Sequence, residues 1–416
     1  MNAVLPRLKL LIISHAYAAT ENRKKIQALG AIADVVCVTS EISQEEILGQ
    51  PAAAFDNDDD LTSRSYRLVR LPRTGVSITR FMYRGLGKVI QEAERFDAVI
   101  VENEPWSFVR WQAWWHCRRN QPQALFGEFS WENVERPSLK GALLSLVYRC
   151  AVASHDFMVA GNQAAGRLFQ RFGSLADRVL VAPQLGVDIE SHHPMTEREK
   201  SALRAENGLV GEGVWIGYCG RFVEEKGLLE LVEACSNLRR MGLPVNLVLL
   251  GAGRLLGRFE KAKLTADWLH LLPPRPHTGI PSFLQMLDIF VLGSKPVCSG
   301  GECWEEQFGH VLIEAMACGA LTLGANSGAI PEVLGDDSYV FQWGDVAALE
   351  QTLSPYVTDL ALRDPAATDQ RERVCKYYTH AAVAAQWVNF VRSKLASEAG
   401  YCPLGDSISP RHLIKQ

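Results

Sequence analysis

Glu306 and Glu314 have seven residues between them, and Gly309 lies in that gap. A glycine there lets the backbone turn tightly into a helix. The N–H groups of the helix's first turn then have no partner within the helix, and they hold an anion, most naturally a diphosphate. Glu314 falls a little over one turn inside this helix and Glu306 precedes it. One carboxylate can therefore accept hydrogen bonds from ribose hydroxyls and the other from sugar hydroxyls. The spacing alone fits a solvated helix with two exposed glutamates equally well.

A second block of chemistry-bearing residues lies upstream. Residues 214–227 read VWIGYCGRFVEEKG: an apolar strand, then Gly220-Arg221, then Lys226-Gly227. A strand followed by a basic loop and a helix start sets two cations at the strand's carboxyl end. Arg221 offers a planar fork and Lys226 a point charge, and the two suit a diphosphate leaving group. Gly251 and Gly253 follow the next apolar run, where close backbone approach is expected. As a dinucleotide loop they fit poorly, because Gly257 is wrongly spaced and no acidic residue follows at the ribose-binding distance.

Residues 306–335 read EQFGHVLIEAMACGALTLGANSGAIPEVLG. This run closely resembles the signature of family 4 glycosyltransferases, and the G-R-x4-K-G run from Gly220 to Gly227 resembles the same family. The resemblance implies an α/β fold of the GT-B type, with two Rossmann-like doubly wound domains facing a shared cleft. It implies a nucleotide-sugar donor in the second half, retention of anomeric configuration, and a glycan or lipid-linked saccharide as acceptor. Donor binding falls on Gly220, Arg221, Lys226, Gly251, Gly253, Glu306, Phe308, Gly309, His310, Val311 and Glu314. Among these, Glu306, Arg221 and Lys226 are the catalytic candidates. The loop in 271–287 contacts the base in the family, which makes Arg275, His277 and Ile280 candidates here. No cofactor beyond the donor is expected. Metal independence is expected too, since Arg221 and Lys226 can neutralise the leaving group and the acidic clusters at 58–60 and 336–337 sit at no convincing strand end.

The first half departs from the family pattern. After the first strand, many members carry glycines where this chain reads Ser14-His15-Ala16-Tyr17. His15 either faces the cleft or serves as a core or capping histidine. Residues 99–106, VIVENEPW, supply Glu102 and Glu104; residues 124–137, ALFGEFSWENVERP, supply Glu128, Glu132 and Asn133. These six residues are the acceptor-side candidates. Other branches place a histidine near the second segment, and this chain has none there. Glu132 or Glu102 can take its role, or no side-chain base acts, which a front-face retaining reaction tolerates.

These residues need rigid elements to position them. Apolar runs at 8–13, 34–38, 67–71, 98–101, 124–126, 156–159 and 179–181 predict one parallel sheet. Runs at 214–218, 245–250, 268–271, 289–292, 321–323 and 339–341 predict a second. Helices are expected at 22–29, 79–94, 107–119, 139–153, 162–172, 228–241, 280–287, 309–317 and 347–353. A long amphipathic helix is expected at 371–398. Ligands in such sheets bind beyond the carboxyl ends of the strands. The expected domains are 1–190 for the acceptor and 191–375 for the donor. A C-terminal helix at 376–398 packs back on the first domain, and a tail covers 399–416.

The 416 residues, 47% apolar, are enough for two cores, and a net charge of -4 gives no global excess for nucleic acid. The ten cysteines show no zinc spacing and suit a reducing cytoplasm. No run of about 18 apolar residues predicts a membrane span. The stretch 64–88 is basic, interleaved with apolar residues and free of acids. It is either a peripheral membrane contact on the cytoplasmic face or an ordinary solvated face. Two further classes share the fold: a nucleotide-sugar epimerase, and an inactive sugar-nucleotide-binding protein.

Overall fold

The computed structural model describes residues 6–41, 65–75, 77–134, 136 and 139–398. The acidic run at 56–60, Arg64 and the tail from 399 lie outside the described residues. Among the described residues, nine strands lie in the first half: β1 (Lys9–Ile13), β2 (Asp34–Ser40), β3 (Tyr66–Leu71), β4 (Arg73–Thr74), β5 (Met82–Tyr83), β6 (Ala98–Glu102), β7 (Leu125–Ser130), β8 (Phe157–Ala160) and β9 (Val179–Val181). Eight lie in the second: β10 (Val214–Arg221), β11 (Val245–Ala252), β12 (Leu269–Leu272), β13 (Ile289–Leu292), β14 (Val297–Ser299), β15 (Glu302–Trp304), β16 (Leu321–Ala325) and β17 (Val340–Phe341).

Two parallel sheets result, in the orders β3-β2-β1-β6-β7-β8-β9 and β12-β11-β10-β13-β16-β17. Their central strands are buried on both faces, which explains the near-continuous apolar runs. In each sheet the order reverses beside the first strand of the domain, β1 or β10, so a crevice opens at the carboxyl ends there.

Several elements differ from the sequence reading. Residues 79–94 are not one helix: β4 and β5 form an antiparallel hairpin, and the helix spans only Leu86–Glu92. The Gln112 side chain holds Tyr83 extended, accepting from its N–H at 2.9 Å and donating to its carbonyl at 2.7 Å. A helix not among those expected, Glu197–Glu206, follows the first domain, its first turn closed by a capping box of Thr196 and Glu199. Arg204 docks it on the second domain, donating to Met286 O at 2.7 Å and Asp288 Oδ1 at 3.0 Å. The long terminal helix is two, Leu360–Tyr377 and His380–Glu398. The chain crosses between domains at the break, where Val187 N–H donates to Tyr378 O at 2.8 Å. Beyond it, Val383, Trp387, Val388 and Val391 join the core under the first sheet.

The hairpin β14–β15 brings Cys298 opposite Cys303, and the two form a disulfide. The scattered spacing gave no sign of it, because the pairing depends on the turn at Gly300-Gly301. The other cysteines among the described residues are free. Among those residues no helix is long and apolar enough to cross a membrane.

Candidate active site

Gly309 caps the helix His310–Ala317 at φ +73°, in the left-handed region that favours glycine. Glu306 lies just before it, its carbonyl accepting from Ala329 N–H at 2.9 Å. Its Oε2 lies 2.5 Å from the Lys226 ammonium and accepts from Ser294 Oγ at 2.7 Å. Lys226 also donates to Ser294 Oγ at 3.2 Å. Lys226 comes from the short turn Glu224–Lys226 after β10, and Ser294 from the loop after β13. Two adjacent strand ends and a helix N-terminus therefore converge on one carboxylate oxygen.

Arg221 ends β10 with an exposed side chain, while its carbonyl accepts from Tyr218 Oη at 3.0 Å. Gly251 and Gly253 bring chain segments together: a Cβ on the first would lie 1.9 Å from Gly220 O, and on the second 2.5 Å from Phe222 O. The close approach is therefore between the loops after β10 and β11, which sets where Arg221 stands.

Glu314 is buried beneath the first helical turn, with His277 Nε2 at 3.2 Å and His310 Nε2 at 3.9 Å. Burial pushes this carboxyl up, but the His277 hydrogen bond and the charges of His310, His277 and His192 leave it below its ordinary value. The hydrogen bond to Glu314 raises His277, and burial lowers His310. Arg275 turns away to Asn207, and Ile280 is buried in the core. Of the base-loop candidates, His277 is the one placed against Glu314. Phe308 is buried, packing on Trp131 with ring centres 5.6 Å apart, and Val311 packs on the second domain's core.

On the first-domain side the glutamates separate into two kinds. Glu102 is fully buried: Oε1 accepts from Tyr17 at 2.7 Å and Lys25 at 2.8 Å, and Oε2 from Gln184 at 2.8 Å. Glu128 is also fully buried, with Arg110 Nε at 2.7 Å on one oxygen and His155 Nδ1 at 2.7 Å on the other. Both carboxylates are buried and closed within ion-pair networks of the core, not open to the cleft as the acceptor-side reading expects. Glu104 and Glu132 are different. Ser130 Oγ donates to Glu104 and accepts from Glu132 N–H at 3.0 Å. Burial, then the neighbouring Glu132, pushes Glu104 up to about 8, so near neutral pH it is largely protonated and can donate as well as accept. Burial also raises Glu132, although Arg136 Nη1 lies 2.7 Å from its Oε1. The Asn133 Oδ1 atom is buried without a hydrogen-bond partner among the described residues. His15 packs edge-on to Phe81, 5.9 Å between ring centres; burial and then Arg73 lower it to about 4, so it is a neutral imidazole.

Comparison with known proteins shows what this part of the chain is similar to. The family described as "Glycosyl transferases group 1" matches residues 199–373, the part that holds Arg221, Lys226, Glu306 and Glu314. The D-inositol 3-phosphate glycosyltransferase of Segniliparus rotundus is 28% identical over 193 residues, covering 44% of this chain and 40% of that protein. A GDP-mannose-dependent alpha-(1-6)-phosphatidylinositol dimannoside mannosyltransferase of Mycobacterium tuberculosis is 27% identical over 188 residues, covering 45% of each. The chain thus spans about half or less of the length of these curated relatives. The crystal structure of Anabaena HepE in complex with UDP superposes with a TM-score of 0.65 at 16% identity, covering 93% of this chain and all of that one. The fold is GT-B.

In this GT-B fold the second domain meets the first along the cleft. Gln307 Nε2 donates to Trp131 O at 3.3 Å, and Asn162 Nδ2 donates to Gln307 O at 2.7 Å. Glu332 accepts from Gln163 N–H at 3.0 Å. The residue directly after Glu306 is thereby tied to the loop after β7. Sequence reasoning missed Ser294 and Gln307. Ser294 had one legible signal, its place just beyond the carboxyl end of a strand; Gln307 had none, since its partners lie in the other domain.

Proposed function

We propose that the chain is a retaining, metal-independent glycosyltransferase that moves a sugar from a nucleotide-diphosphate donor to a hydroxyl of a glycan or lipid-linked saccharide. The convergence of Lys226, Ser294 and Glu306 at the N-terminus of the helix His310–Ala317 carries this reading. The diphosphate would sit on the N–H groups of the first turn, with Arg221 and Lys226 beside it. Glu306 would accept from sugar hydroxyls and Glu314 from ribose hydroxyls. As the anomeric C–O bond to the diphosphate breaks, the cations take up the negative charge on the departing oxygen. That oxygen accepts the proton of the attacking hydroxyl, and the new C–O bond forms on the face it leaves. No side-chain base is then required, consistent with Glu102 and Glu128 being closed within ion pairs. The relatives' names include inositol phosphate and phosphatidylinositol glycosides, which supports a phosphate-bearing or lipid-borne acceptor. The reading includes a cytoplasmic location with the basic stretch 64–88 against the membrane.

A thermal-shift panel of UDP, GDP, ADP and their sugars tests the donor site. A shift by one nucleotide series identifies the base, because a ligand that binds only the folded state stabilises it. No shift with any of them, with or without acceptor lipid, overturns the reading.

A further inference from the structure

We propose that one face of the first domain docks on an anionic lipid bilayer, with the helix Leu139–Ser154 at its centre. Three separate segments, 61–91, 105–127 and 137–155, contain no Asp or Glu, although the whole chain carries a net charge of -4. The fold places parts of all three side by side. Phe108 N–H donates to Thr79 O at 2.9 Å, and Gln112 clasps Tyr83, which fixes the β4–β5 hairpin on the helix Phe108–Asn120. Arg110 Nη2 donates to Ala151 O at 3.0 Å and Ser154 Oγ at 2.7 Å, joining that helix to Leu139–Ser154.

The outer surface of this assembly is apolar where a monomer would ordinarily be polar. Leu143, Leu146, Cys150 and Ala153 form one stripe at helical spacing, all exposed, Leu143 to 71% and Leu146 to 58%. Cys150 and Ala153 share a shallow cavity of about 430 Å³ with Trp111 and Trp114, so the stripe continues onto the next helix. Phe108 and Trp115 are each 53% exposed there, and Ile78 and Met82 on the neighbouring loop and hairpin are 43% exposed. Arg80, Arg84, Arg119 and Arg149 are exposed among them. Apolar side chains mixed with cations complement an anionic bilayer, and the carboxylates at its margin, Asp156 and Glu92, are paired with Arg118 and Lys88. A second copy of the chain would set like charges against each other.

The same helix shows its other side to the cleft. Leu144, Ser145 and Tyr148 line an interdomain cavity of about 770 Å³ that reaches Glu305, the neighbour of Glu306. A docked face would open this cavity at the bilayer surface, where a lipid-anchored acceptor enters; only this route rests on the acceptor reading above.

Flotation of the full chain with phosphatidylcholine vesicles, with and without phosphatidylglycerol, tests the proposal. The protein is expected to float with the anionic vesicles, weakly or not at all with neutral ones, and less as salt screens the charges. A Leu143→Glu/Leu146→Glu variant and an Arg80→Glu/Arg84→Glu/Arg149→Glu variant should each lower partitioning at least ~tenfold while keeping the nucleotide-induced thermal shift. Wild-type protein that ignores anionic vesicles, or both variants floating as wild type does, overturns it. Concentration-dependent dimers lost in the leucine variant assign the face to a second copy and overturn it as well. Bilayer binding without any nucleotide shift leaves this inference standing and sinks the transferase reading instead.

Discussion

Lys226 and Glu306 stand 2.5 Å apart across the cleft side of the second domain, bridged by Ser294. They come from segments 80 residues apart, and their contact joins the basic turn to the carboxylate that precedes the anion-binding helix. Lys226→Ala should lower donor affinity or turnover at least ~tenfold, because a charge-assisted contact to the leaving group is lost. Glu314→Ala should do the same by removing the ribose partner. Steady-state kinetics with a melting curve for each variant checks this; wild-type rates in both would remove these residues from the donor site.

Chelator is expected to leave the transfer rate unchanged, since Arg221 and Lys226 supply the positive charge that a divalent ion would otherwise bring. Complete loss restored by added magnesium contradicts the metal-free reading.

The His277–Glu314 contact should appear in pH profiles. Its hydrogen bond to Glu314 holds His277 above the usual 6.5. The pair therefore stabilises the fold below pH 6.5, and this contribution is lost as pH rises through the raised value. Nucleotide affinity should rise over the same window, as neutral His277 releases Glu314 to the ribose. Titrating nucleotide on both sides of pH 6.5 with wild type and His277→Ala checks it; the substitution should flatten the profile.

Glu128→Gln should destabilise the first domain by about 3 kcal/mol or more, because it leaves Arg110 buried without its counter-charge. Burial works against the Glu128 carboxylate, but Arg110 and His155 hold it down to about 2. Its stabilisation is fully present above pH 4.5 and fades as pH falls from there towards 2. Urea unfolding of wild type and variant, at neutral and acidic pH, should show a difference that shrinks in acid.

The two parallel sheets, Gly309 before its helix, and the cations at the end of β10 were legible in the sequence because each depends on short-range rules. Burial on both sheet faces makes continuous apolar runs, and a left-handed cap selects glycine within one turn. The first-domain carboxylates were not legible. Glu102 and Glu104 are two residues apart, yet one closes on Lys25, 77 residues away, while the other meets Ser130. Which carboxylate pairs with a cation and which with a hydroxyl follows from partners that only packing brings near. The same holds for the break at Tyr378, the disulfide across β14–β15 and the apolar face of Leu139–Ser154. The sequence by itself determined that last helix; only the tertiary structure decided that its apolar stripe at Leu143 and Leu146 faces solvent, because the core beneath is already filled from its other side.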